Sequence, residues 1–151
     1  MDEYDTSSSI IKPDISVIMT VRNGDKFVFN SVLSALQQKN INHEVIVVDD
    51  GSEDDTINIL NDISKNESRI RIIKKAQIGR GAALNIAWQN ANGEYIANLD
   101  GDDISHPQRL ALQFNIMKNN SWIHVLAGQS LIFTENLPSF LYDHIDINFN
   151  Q

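Results

Sequence analysis

The sequence predicts an α/β protein of three layers, with helices on both faces of a mostly parallel central sheet. Three observations carry this. Short β-branched runs alternate with helix-period segments of ten or more residues, the pattern of βαβ units. The runs Ile15–Val21 and Glu44–Val48 are nearly all apolar, as strands covered on both faces are. Polar residues, Asp above all, gather just after these runs, where ligands sit in such sheets.

Ile15-Ser16-Val17-Ile18-Met19-Thr20-Val21 is the first expected strand. From about Asp25 to Gln38, residues Val28, Val32, Ala35 and Leu36 share one helical face. Glu44–Val48 is the second strand, and Thr56–Asn66 a helix through Ile59, Leu60 and Ile63. Ile70–Ile73 is a short third strand. Ala82–Ala91 is a helix that turns Ala83 or Leu84, Ala87, Trp88 and Ala91 inward, and Tyr95–Leu99 is the fourth strand. Ser105-x-x-Gln108, with Pro107 between, is a capping box that opens a helix carrying Leu110, Phe114 and Met117. Trp122–Ala127 and Leu131–Thr134 are further candidate strands.

At 151 residues the chain suits one domain. The expected division is a tail over 1–13, a domain over 14–135 and an unassigned extension over 136–151. The acidic, polar start does not resemble a secretory signal. No apolar run approaches the ~18–20 residues of a membrane-spanning helix. With no cysteine there is no disulfide framework or thiolate site, which gives a cytoplasmic expectation. A net charge of −8 argues against non-specific binding to nucleic acid or an anionic membrane. The four histidines show no metal-ligand spacing.

Three strand ends, expected on one rim, carry five Asp between them: Asp49, Asp50, Asp100, Asp102 and Asp103. Asn98-Leu99-Asp100-Gly101-Asp102-Asp103 concentrates three of these, at a free-energy cost unless they fan into water or share a cation. Asp100 and Asp102, one residue apart on a turn, suit a hard ion such as Mg²⁺ or Mn²⁺. The bland alternative is a set of solvated turns with Asp as helix cap. Gln77–Ala83 is a glycine-punctuated loop opening a helix, with Arg80 as a possible phosphate contact. No G-x-G-x-x-G, G-x-S-x-G or Walker sequence occurs.

The ordered pieces ISVIMTVRNG, SVLSALQQ, HEVIVVDDGSEDDT and GRGAALNIAWQNANGEYIANLDGDDISHPQRL resemble family 2 glycosyltransferases of the GT-A fold, over about residues 14–135. The resemblance implies a Rossmann-like α/β/α fold and transfer of a sugar from a nucleotide-diphosphate donor to an acceptor hydroxyl, with inversion. A UDP-sugar is the favoured donor and a glycan or lipid-linked molecule the acceptor, as in bacterial surface polysaccharide synthesis. It further implies that Thr20, Arg22, Asn23, Asp49, Asp50, Arg80, Asp100 and Gly101 contact the donor. Asp102, with Asp100, would hold the Mn²⁺ or Mg²⁺ that bridges the diphosphate.

Two departures accompany the resemblance. Leu84 and Ala87 stand where many relatives carry Arg and Gly. The acceptor-binding half, with its general base, is expected to be missing, and Glu135, Asp143 and Asp146 sit in no motif that would nominate one. The runner-up reading is a truncated, non-catalytic nucleotide-sugar-binding module. A nucleotidyltransferase would want a more basic, glycine-rich loop than Thr20-Val21-Arg22-Asn23-Gly24. The expected location is cytoplasmic, with peripheral attachment to the inner membrane face as a further possibility.

Overall fold

The structure is a computed structural model that describes residues 12–132. Its elements run β1 (Ile15–Val21), α1 (Val28–Leu36), β2 (His43–Asp50), α2 (Thr56–Asn66), β3 (Ile70–Lys75), α3 (Arg80–Gln89), β4 (Tyr95–Asn98) and α4 (Arg109–Asn119). The four strands form one parallel sheet in the order β3-β2-β1-β4.

Alternation along the strands divides the core. Ile15, Val17, Met19 and Val21 of β1 join Val45 and Val47 of β2 on one face. There they meet Val28, Val32, Ala35 and Leu36 of α1, Leu60 of α2 and Leu110 of α4. Ile18, Ile46 and Val48 point the other way, onto Ala83 and Ala87 of α3. Two alanines four residues apart let α3 lie close to the sheet. Each fully buried side chain such as Met19 or Leu60 is worth about 1.5–3 kcal/mol of burial.

Register positions the strand ends. β1 pairs with β2 as far as Val21↔Asp49, whereas its pairing with β4 stops at Ile18↔Asn98. The chain leaving β4 therefore turns beside the last residues of β1. At the opposite end of the sheet, Glu44 gathers four segments. Its carboxylate accepts from Ser16 Oγ and Asn92 N, both at 2.7 Å, and from Arg71 at 2.7 Å. Burial alone would raise the Glu44 carboxyl, but the Ser16 and Asn92 bonds and the Arg71 charge outweigh it and hold it below its usual range.

The expected elements form, with local differences. α3 begins at Arg80, and Trp88 is 59% exposed rather than inward. It follows Ala87 by one position, about 100° around the helix from the face that meets the sheet. The Ser105 capping box does not form: α4 starts at Arg109, and Ser105 Oγ instead accepts from Gln38 and Arg109. Trp122–Ala127 is irregular, with Trp122 and Val125 exposed and paired to no strand. Leu131 and Ile132 are also irregular, and the rest of that candidate strand lies outside the described residues. Among the described residues no helix is long and apolar enough to cross a membrane.

His43, at the start of β2, is buried, and its ring Nδ1 lies 3.2 Å from the Ile41 carbonyl. Burial pushes the imidazole below its ordinary 6.5, and the nearby Arg69 charge adds to this against the raising influence of the Ile41 bond and Glu67. The folded state thus binds fewer protons than the unfolded chain just below that value. Stability is full above about pH 6.5 and falls as pH drops through the unfolded-state value. The urea midpoint should decline between pH 7.5 and 5.5, and His43→Gln should flatten that decline. An equally steep decline in the variant would assign the effect to other groups.

Candidate functional site

The ends of β1, β2 and β4 meet at one rim. Between them lies an open cavity of about 460 Å³, lined by Thr20–Gly24, Phe27, Asp50, Arg80 and Asp100–Asp102. The turns after β1 and β2 are laced together. Asn23, in the left-handed region at φ 51°, donates its N–H to Ser52 Oγ at 2.9 Å. Its side-chain oxygen accepts from Glu53 N at 2.9 Å. Gly24 N donates to Thr56 Oγ1 at 2.9 Å, and Asp25 N to Asp54 at 3.1 Å. The Asn23 side chain is thereby committed to the neighbouring turn, although the residue lines the cavity.

Asp49 and Asp50 are adjacent and point to opposite faces of the sheet. Asp49 turns toward the α1–α2 side, where its carboxylate accepts from the Ser52 N–H and hydroxyl. It does not line the cavity. Asp50 turns toward α3. Its two oxygens accept from Ile78 N at 2.7 Å and Gly79 N at 3.0 Å. Hydrogen bonds to a charged acceptor are worth about 1.5–3 kcal/mol each, so this one side chain holds the loop that delivers Arg80. The amides of Ile78 and Gly79, candidates for an anion at the start of α3, are already taken. Gly51 permits the arrangement: its φ is 75°, and a Cβ there would come within 2.8 Å of the Gln77 nitrogen.

The β4 side carries the other charges. Arg80 reaches across to Asp100, Nη2 to Oδ1, at 2.5 Å, with both side chains substantially exposed. Asp102 is exposed at the cavity and has no hydrogen bond or ion pair among the described residues. Between them Gly101 lies against β1, where a Cβ would come within 3.1 Å of the Thr20 carbonyl oxygen. Asp103 lies on a second cavity, of about 620 Å³, between β4, α4 and residues 126–131. Desolvation first, then the charges of Asp102 and Asp100, raise its carboxyl above the ordinary range, opposed by Arg109.

The structure thus brings together Thr20, Arg22, Asn23, Asp50, Arg80, Asp100, Gly101 and Asp102, and leaves Asp49 outside. Among the described residues no group of three or more His, Asp or Glu side chains could hold a metal ion. Asp102, with Asp100 when released from Arg80, offers one or two carboxylate ligands. Mg²⁺ commonly takes that number from protein and draws its other ligands from water and phosphate. Phe27 was not anticipated. It is 55% exposed at the cavity mouth, and its sequence signal is an aromatic residue just after the polar turn Asn23–Lys26. His106 lines the second cavity rather than the first.

Comparison with known proteins gives a consistent picture. The model of the family described as glycosyl transferase family 2 matches residues 16–149. An uncharacterized glycosyltransferase of Rickettsia felis is 38% identical over 109 residues, 72% of this chain and 18% of that protein. The crystal structure of S. aureus TarS 1–349 in complex with UDP-GlcNAc superposes with a TM-score of 0.66 at 26% identity, covering 72% of this chain and 32% of that one. The mannosyltransferase PcManGT from Pyrobaculum calidifontis, in complex with GDP-Man and Mn²⁺, shares the fold with a TM-score of 0.61 at 23% identity, covering 71% and 32%. The chain spans less than half the length of these curated relatives and solved structures.

Asp50→Asn tests the loop-holding role. An amide NH₂ cannot accept, so Ile78 or Gly79 loses its partner, at about 1–3 kcal/mol. The expected result is a lower urea midpoint and faster amide exchange confined to residues 76–80. Unchanged exchange in that loop would show that Asp50 does not hold it.

Proposed function

The chain belongs to glycosyl transferase family 2 and has its GT-A fold, and from that premise we propose that it binds a nucleotide-diphosphate sugar and serves its transfer to an acceptor hydroxyl. The observation that supports this most is the shared cavity where the ends of β1 and β2 face Arg80, Asp100 and Asp102.

Each side has a distinct part in the proposal. Thr20, Arg22 and Asn23, which line the cavity, would border the nucleoside. Asp50 is fixed as an acceptor by the two amides it already binds, and each carboxylate oxygen keeps further lone-pair capacity. That suits the imide N–H of uracil, and UDP is the nucleotide in the TarS complex. Arg80 would meet a phosphate oxygen once it leaves Asp100, and its guanidinium can do so through two parallel N–H bonds. Asp102 and Asp100 would hold Mn²⁺ or Mg²⁺, which supplies Lewis-acid stabilisation of charge on the departing diphosphate.

In the proposed reaction the acceptor oxygen attacks the anomeric carbon from the face opposite the diphosphate. The bond to the diphosphate oxygen breaks, the nucleoside diphosphate departs with its electron pair, the hydroxyl proton passes to a general base on the acceptor side, and configuration inverts. The acceptor would be a glycan or lipid-linked molecule, met in the cytoplasm or at the inner membrane face.

The test is calorimetric titration of UDP into the protein with Mn²⁺ and then with excess EDTA, for the wild type and Asp102→Ala. Loss of a charge-assisted contact, about 1.5–3 kcal/mol, weakens binding by about tenfold to a hundredfold. The wild type should lose that much in EDTA, and Asp102→Ala should bind equally weakly in both. A variant that binds UDP with Mn²⁺ as well as wild type does would remove Asp102 from the metal site. Failure to bind in either condition would direct the search to GDP, CDP and dTDP. Binding without sugar transfer or donor hydrolysis would favour the binding-module reading.

A further inference from the structure

Ser31, Ser34 and Gln38 follow one another at helical spacing along α1 and just past its end, on a side that is otherwise core. All three are buried. Buried polar groups are costly unless paired, and here their partners lie about seventy residues away, on the segment linking β4 to α4. Ser31 Oγ donates to the Asp100 carbonyl at 2.9 Å. Ser34 Oγ accepts from Ser105 N at 2.9 Å and donates to the Ser31 carbonyl at 2.8 Å. Gln38 Nε2 lies 3.1 Å from Ser105 Oγ and 2.9 Å from the His106 carbonyl. Its Oε1 accepts from Leu110 N, in the first turn of α4, at 3.1 Å. Arg109 completes the hub from the other side, reaching Ser105 Oγ at 2.8 Å and the Asn98 carbonyl at 3.3 Å.

The loop is therefore pinned at Asp100 and again at Ser105–His106, with Asp102 between the pins. None of Ser31, Ser34, Gln38 or Ser105 lines the cavity that holds Asp102. We propose that Gln38, with Ser31, Ser34 and Ser105, is a positioning residue for the Asp100–Asp102 carboxylates, setting their spacing for a divalent cation while touching neither cation nor nucleotide. The proposal rests on the metal-dependent donor binding proposed above. It extends that reading to side chains outside the cavity. Outer-shell partners that orient ligands typically affect metal affinity about tenfold or more when lost.

A purely stabilising hub would predict something else, so the test separates the two. The readout is the ratio of UDP dissociation constants in EDTA and in Mn²⁺, beside the urea midpoint, for wild type, Gln38→Met, Ser31→Ala and Ser16→Ala. Ser16→Ala is the control: it removes a buried hydroxyl bonded to Glu44 and Gly93 at the far end of the sheet. Gln38→Met should cut the ratio about tenfold, with UDP affinity in EDTA unchanged. Ser31→Ala, which loses one bond and keeps the fold's packing, should cut it in the same direction. Ser16→Ala should lower the midpoint and keep the ratio. A retained ratio in Gln38→Met and Ser31→Ala overturns this proposal alone, as does an equal fall in Ser16→Ala. A wild-type ratio of one overturns the metal reading and this proposal with it.

Discussion

Strand β1 lies between two parallel partners, β2 and β4, so its backbone groups are committed on both edges and both its faces must be covered. The rest of the architecture answers to that constraint. Val17 and Met19 require the helices of one layer, and Ile18 requires α3 on the other. Parallel neighbours also require crossovers, and every crossover here leaves the sheet at the same rim. Thr20–Gly24, Asp50–Ser52 and Asp100–Asp103 are neighbours for that reason, though they come from three distant parts of the chain.

Concentrating carboxylates on one rim carries an electrostatic cost, and the fold distributes it. Asp49 and Asp50 point to opposite faces, Asp49 to the nearby Ser52 and Asp50 to the distant amides of Ile78 and Gly79. Asp100 is matched to Arg80, and the charge of Arg109 partly offsets that of Asp103. Asp102 has no partner at the cavity among the described residues, so its charge faces solvent. The Arg80–Asp100 pair is exposed and contributes little to stability by itself. Its interest is that both members are wanted by different parts of the same proposed ligand.

Much of this was legible in the sequence because it is written in local periodicity. The strands, the bounds of α2 at Thr56 and Asn66 and the buried stripe Val28–Val32–Ala35–Leu36 follow from spacing alone. The rim location of the Asp residues follows from strand ends. What spacing does not contain is a partner elsewhere in the chain. Nothing near Asp50 announces the amides of Ile78 and Gly79, and nothing near Ser105 announces Gln38. Ser105 has the local signature of a helix cap, but the stronger claim came from α1 and Arg109. Trp88 was misplaced by a single position, enough to carry it from the sheet to solvent. The candidate strand at Trp122–Ala127 had the composition of a strand but pairs with neither open edge of the sheet, β3 or β4. The division of the chain at 14–135 is an expectation that the described residues leave as it stood.

The hydrogen bond from Gly93 N to Ser16 Oγ spans 77 residues and marks where β4 docks on β1. Closing so long a loop costs more chain entropy than pairing β1 with β2 or β2 with β3, and non-local parallel pairing is slow. Three strands can assemble from contiguous sequence before the fourth takes its seat. Chain entropy thus favours forming the turns after β1 and β2 before the Asp100–Asp102 loop closes the cavity. A ligand bridging both sides would bind only molecules with β4 seated, and by mass action would hold β4 in place.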